Sequence, residues 1–229
     1  MIPLVVLRLT GFVRTARALP PLLAGLLALV VLHGGAGAPP AEAYGVSAVI
    51  LFPVLAWQTR LLLDTEPDVQ RRLAVVAAGR RTELVAGLLA AATAGLALVV
   101  IALVVPWLVG GVSGPDGPGG PSVGQGLAVG LWAHLLVLPP AVGLGALSSR
   151  AAVASPLSGL AVLVCGVVCA FVFGLRDSVV PWLVPPVLAV ARTSTAGPTA
   201  MSLGLVTGHA VLWSAVVITG YAWLRRRQA

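Results

Sequence analysis

The chain has 229 residues, 59% of them hydrophobic and only 9% charged, with a mean hydropathy of +1.03. A soluble domain carries about 25% charged residues, so this chain cannot cover the surface of a soluble protein of its size, and the bilayer must be its main solvent. The net charge of +7 does not point to nucleic acid, because the charges are sparse and sit at the ends of apolar runs.

All fourteen basic residues are arginine, and the chain has no lysine and no asparagine. With so much Ala, Gly, Pro and Val, this reads as the codon bias of a GC-rich genome and hence as a bacterial inner-membrane protein. The length suits one integral-membrane domain. The apolar run from Ile2 is interrupted by Arg8, Arg14 and Arg17, so no cleavable signal is expected.

Residues 1–17 are apolar with scattered arginines of poor helical periodicity, which allows either an interfacial helix with arginines on lipid headgroups or a frayed cytosolic tail. Pro20 and Pro21 open a first span over Ala18–Ala38, and Gly34, Gly35, Pro39 and Pro40 end it. The second span is Tyr44–Leu63, about twenty residues, enough to cross ~30 Å of hydrocarbon. Tyr44 and Trp57 stand near its ends, and Arg60 lies one turn from the polar end.

Asp64–Glu83 follows, the one long polar segment, with four of the fourteen arginines and four of the seven acids. Thr65-x-x-Asp68 resembles a capping box and predicts a short helix from Glu66 to Ala78. Val69, Leu73, Val76 and Ala77 form one apolar stripe at helical spacing, with Arg71 pointing the other way. Asp68 and Arg72 are an acid-before-base i,i+4 pair. Gly79 stops the helix, and Arg80 and Arg81 meet the membrane surface.

The third span is Leu84–Val105, with Pro106 and Trp107 at its far end. Gly110–Gly124, with seven Gly and three Pro, reads as a loop without secondary structure, and without lysine it is no phosphate-binding Walker loop. The fourth span is Gln125–Leu147; its Gly126 and Gly130 suit close helix packing, and Pro139 and Pro140 should kink it. The turn Ser148–Ser155 carries Arg150, and the fifth span is Pro156–Gly174. Val179–Ala191 is apolar but has only thirteen residues and three prolines, so it reads as a re-entrant element. The sixth span is Ala200–Leu224, again with a glycine pair, Gly204 and Gly208, and Arg225–Arg227 close it. The expected fold is therefore an all-α integral membrane protein with six transmembrane helices, both termini cytosolic and a re-entrant segment before the last helix. That orientation places twelve arginines inside and leaves only Arg176 and Arg192 outside.

His33, His134 and His209 are the ionisable side chains within the apolar runs, apart from Arg60. His134 and His209 are candidates for lining a substrate path, against the plainer reading of a neutral imidazole in an interhelical hydrogen bond. No carboxylate accompanies the histidines, so no metal site is expected. Cys165 and Cys169, four apart on one helix face, read as apolar packing. No nucleophile motif, no cofactor and no catalytic residue is read from the chain.

This layout is similar to the permease of a type-2 ATP-binding-cassette transporter. The resemblance covers the chain in layout and rests in motif on LLLDTEPDVQRRLAVVAAGRR at 61–81. It implies that this segment is a coupling helix docking on a separate cytosolic ATPase through Asp68, Val69, Arg71, Arg72, Leu73, Val76, Arg80 and Arg81. It also implies that 1–17 is an interfacial connecting helix, that 179–191 holds extracellular re-entrant helices, and that a second permease subunit completes the pathway. An interfacial helix merely lying on the bilayer remains the alternative for 64–83. A secondary transporter or a non-transporting membrane scaffold remains the alternative for the chain.

Overall fold

A computed structural model describes residues 1–35, 37–114, 122–153 and 155–227. Among them the secondary structure is helical, without a strand. In chain order the helices are α1 (Ile2–Arg14), α2 (Leu19–His33), α3 (Pro40–Leu63), α4 (Asp68–Ala78), α5 (Arg80–Leu108), α6 (Val123–Leu147), α7 (Pro156–Phe173), α8 (Val187–Thr195) and α9 (Ala200–Arg227). A single 3-10 turn, Pro181–Leu183, precedes α8.

Five helices, α3, α5, α6, α7 and α9, are long and apolar enough to cross a bilayer. The pair α1 and α2, bent by 74°, makes a sixth if it is counted as one broken span. This is the architecture of an all-α, multi-pass membrane protein. The expected first span at 18–38 is shorter than read: α2 has 15 residues and ends before the Gly34–Gly35 pair. At 1.5 Å per residue that covers about 22 Å, less than the hydrocarbon thickness. The corner between α1 and α2 contains Ala16 at φ 56°, so the chain turns there instead of running straight.

The core sits between α3 and α6, whose mutual contact is the most extensive of any helix pair. Glycine makes it possible. A Cβ on Gly126 would lie 2.6 Å from the Pro40 Cβ, and one on Gly130 2.7 Å from the Tyr44 Cβ. Small residues at such positions let two backbones approach closely without a side chain between them. About half of the most apolar stretch of α3 (50%) and of α6 (56%) is buried, against 17% for α7 and 11% for α9. The last two helices therefore present most of their apolar surface outward. Gly204 and Gly208 of α9 face open space, unlike the pair on α6. Cys165 is exposed on α7, not packed as read.

The described part of the loop after α5 is bonded to Ala38, just before α3. Ala38 N–H donates to Gly111 O (3.2 Å) and Ser113 N–H to Ala38 O (3.0 Å), an isolated parallel bridge. Residues 115–121 of that loop lie outside the described residues. Ser122 and Gln125 then form a reciprocal capping box that starts α6. The apolar segment at 179–191 becomes the 3-10 turn and α8, which runs on to Thr195 and packs on α3 and α6.

Candidate functional site

The polar segment after α3 forms α4, an 11-residue helix between two candidate spans. It starts at Asp68, two residues later than the capping box predicted, and no side chain caps it. Pro67 supplies the reason. The residue before a proline is pushed out of helical geometry, so Glu66 cannot open a helix, and Pro67 itself stands as the extended N-cap. The Thr65 hydroxyl turns back and donates to Leu61 O at 2.7 Å. Gly79 ends α4 at φ 83°, a conformation that glycine adopts without the Cβ penalty of other residues, and α5 begins at the next residue.

Val69, Leu73 and Val76 are exposed by 70%, 63% and 86%, so the apolar stripe of α4 faces away from the protein. Ala74, on the other side, is buried. The expected ion pair of Asp68 with Arg72 does not form. Asp68 instead accepts from Arg71, one residue nearer, at 2.6 Å. Arg72, Arg80 and Arg81 are exposed.

What holds α4 in place was not read from the sequence. Arg8 of α1 is buried (7% exposed) and reaches both ends of the α4 segment. Its Nη2 donates to Glu66 Oε2 at 2.6 Å, just before α4, and to Glu83 Oε1 at 2.5 Å, in the first turn of α5. Its Nη1 donates to Glu83 O at 3.1 Å. Arg225, near the end of α9, pairs with the second Glu83 oxygen at 2.8 Å and lies over the Tyr221 ring. Two guanidiniums thus face two carboxylates in a nearly dry site. A buried cluster of this kind tolerates the desolvation of its charges only while every partner is present. Gly87 makes room for it, since a Cβ there would strike the Arg8 guanidinium. α1 is therefore neither a frayed tail nor a helix with all its arginines on headgroups.

Asp64 is a second junction. Its carboxylate accepts from Arg150 N–H at 2.8 Å and lies 3.7 Å from Arg60 Nε, and its carbonyl accepts from Arg17 at 2.7 Å and Arg150 Nη2 at 3.1 Å. Burial pushes this carboxyl above its ordinary value, against the opposing pull of the Arg150 N–H and of the Arg150, Arg60 and Arg71 charges. Five arginines from α1, the α1–α2 corner, α3, the turn before α7 and the end of α9 therefore meet at one end of the bundle.

The histidines lie elsewhere. His134 is fully buried between α6 and α3. Its Nδ1 donates to Gly130 O at 2.8 Å, which leaves Nε2 to accept from the Ser47 hydroxyl at 3.1 Å. Tyr44 meets its ring edge-on. His209, on α9, donates to Trp182 O at 3.1 Å and so ties the 3-10 turn to the last helix. Among the described residues no three His, Cys, Asp or Glu side chains gather as a metal site.

Searches of protein-family models, of curated proteins and of solved structures find no match for this chain.

Proposed function

We propose that this chain is the permease subunit of a type-2 ATP-binding-cassette exporter, with α4 as its coupling helix. The observation that carries the reading is α4 itself: a short helix, rooted at both ends in candidate spans, held from behind by buried ion pairs, with its apolar stripe turned outward. A helix that transmits force between proteins needs that combination, because a loosely tethered segment would yield instead of pushing. In this reading Val69, Leu73 and Val76 enter a cleft on a separate cytosolic ATPase, with Asp68, Arg71, Arg72, Arg80 and Arg81 around them. Hydrolysis belongs to the partner.

The arginines support the orientation. Those gathered around Asp64 and Glu83 form the cytosolic end, with both termini inside and Arg176 and Arg192 outside. The membrane is a bacterial inner membrane. The outward apolar surfaces of α7 and α9, with the open Gly204 and Gly208, support a second permease subunit across which the pathway forms. The cargo is apolar or amphipathic, since the helices are uniformly aliphatic. His209, partly open beside the 3-10 turn, is better placed to meet it than His134, whose two nitrogens are both engaged.

The test is capture of the intact chain from its native membrane, followed by flux in vesicles. An ATP-binding-cassette ATPase should co-purify with the chain and drive ATP-dependent movement of an amphipathic dye. Leu73→Arg with Val76→Arg should abolish both while the protein still folds. Capture that survives this double substitution contradicts the coupling-helix reading, and a scaffold would support no ATP-dependent flux.

A further inference from the structure

One flank of α4 borders a cleft of about 560 Å3. Arg71, Arg72 and Arg80 line it together with Arg225 from α9, and Val75, Val76 and Ala151 give it its apolar surface. Two of these charges are spoken for, Arg71 by Asp68 and Arg225 by Glu83. Arg72 and Arg80 have no ion pair or hydrogen bond among the described residues. The cleft therefore carries two uncompensated positive charges over an apolar base.

The geometry points to an anionic phospholipid headgroup as its occupant. Guanidinium forks match phosphate oxygens in pairs, and the apolar floor suits the glycerol and the first methylenes of the chains. The level in the bundle agrees. The cleft lies where α5 starts and α9 ends, and that end of α9 carries Trp223, which is half exposed with Arg227 stacked 3.8 Å over its ring. Exposed tryptophan with arginine marks a membrane–water interface. α5 also opens at Gly79 without a side-chain cap, so its first N–H groups add a favourable field for an anion. Of the stripe only Val76 reaches this cleft; Val69 and Leu73 do not line it. The bound lipid would brace α4 from the flank beside its apolar stripe. The inference rests on placing this end of the bundle at a membrane surface, and because Arg71, Arg72, Val76 and Arg80 also border the proposed ATPase contact, Leu73, which does not line the cleft, is the position that tells the two apart.

The experiment is native mass spectrometry of the full chain in neutral detergent, with phosphatidylglycerol or phosphatidylcholine added. The wild type should retain phosphatidylglycerol in preference to phosphatidylcholine. Arg72→Gln with Arg80→Gln should weaken that retention on the order of thirtyfold, the value of two arginines near an anionic surface. Arg176→Gln with Arg192→Gln, at the opposite end, should leave it unchanged. Thermal unfolding of the first double variant should match the wild type, since both side chains are exposed. Equal retention of the two lipids by the wild type, or undiminished retention by the Arg72/Arg80 variant, overturns the proposal. Displacement of the lipid by inorganic phosphate alone also overturns it, in favour of a soluble anion. If the Arg72/Arg80 variant keeps the lipid but loses a cytosolic ATPase, the cleft belongs to that protein instead. Leu73→Arg separates the two readings: it should lose the ATPase and keep the lipid.

Discussion

At the arginine-rich end of the bundle, buried ion pairs join segments far apart in the chain: α1, the flanks of α4, the start of α5 and the end of α9. At the opposite end, hydrogen bonds to main-chain carbonyls, not ion pairs, tie the short pieces to the bundle. His209 and Trp213 of α9 bond Trp182 O and Leu183 O at 3.1 and 3.0 Å, and Ala38 bridges to the loop at Val112. The two chemistries have different consequences. A buried charge must keep its partners or incur a large desolvation cost, so the first end has one arrangement. A lost carbonyl bond costs about 1 kcal/mol, so the second end should lose less from any one substitution. Loss of any one partner is therefore expected to cost more around α4 than at the opposite end.

The largest effect is expected at Glu83, which carries two guanidiniums. Glu83→Gln leaves Arg225 buried without its counter-charge and Arg8 with Glu66 alone, and should destabilise the protein by about 3 kcal/mol or more. Thermal unfolding in detergent measures this, and protease cleavage near α4 should rise with it. At the far end, His209→Ala removes one hydrogen bond from an accessible turn. A loss of about 1 kcal/mol or less is expected, with faster hydrogen exchange confined to residues near Trp182. If His209→Ala proves as damaging as Glu83→Gln, the contrast between the ends fails.

The smallest effect concerns Asp64 and has a definite sign. Its carboxyl is raised in the folded protein, above the ordinary value of 3.8, so the folded state binds the proton more readily than the unfolded chain. Stability should therefore fall as pH rises through the window from the ordinary value to the raised one. Asp64→Asn keeps an oxygen acceptor for the Arg150 N–H and should lack this dependence. The melting temperatures of wild type and variant should converge on acidification and separate above it. A wild type that instead gains on the variant as pH rises would show that the surrounding arginines outweigh burial.

Sequence periodicity located the long helices well. α3 was expected from Tyr44 and begins at Pro40; α5 was expected over 84–105 and covers Arg80–Leu108. Runs of apolar residues bounded by proline and glycine are local signals and survive folding. The pairing of α3 with α6 was legible in part, because Gly126 and Gly130 mark a close approach without naming the partner. The outward apolar stripe of α4 was legible for the same local reason. The buried ion cluster was not, because Arg8 meets acids 58 and 75 residues away. No helical wheel relates residues at that distance. A signal was present all the same: Arg8 interrupts the apolar run of α1 midway, and Glu83 stands at the mouth of a long apolar run. Each is costly unless paired, and two such unpaired charges of opposite sign are reason to look for each other. The misplaced start of α4 has a different origin, since the capping pattern was read without the restriction that Pro67 imposes on Glu66.

The claim on which the functional account turns is that the outward stripe of α4 touches an ATPase. A photo-crosslinking amino acid placed at Leu73 in the intact chain, irradiated in living cells, tests it directly, with the same group at Val179 as control. Val179 is 92% exposed but lies at the opposite end of the bundle. The account predicts an adduct from Leu73 to a chain bearing an ATP-binding-cassette nucleotide site, and none from Val179. Adducts from Leu73 to lipid alone would contradict it and leave α4 as a helix lying on the membrane.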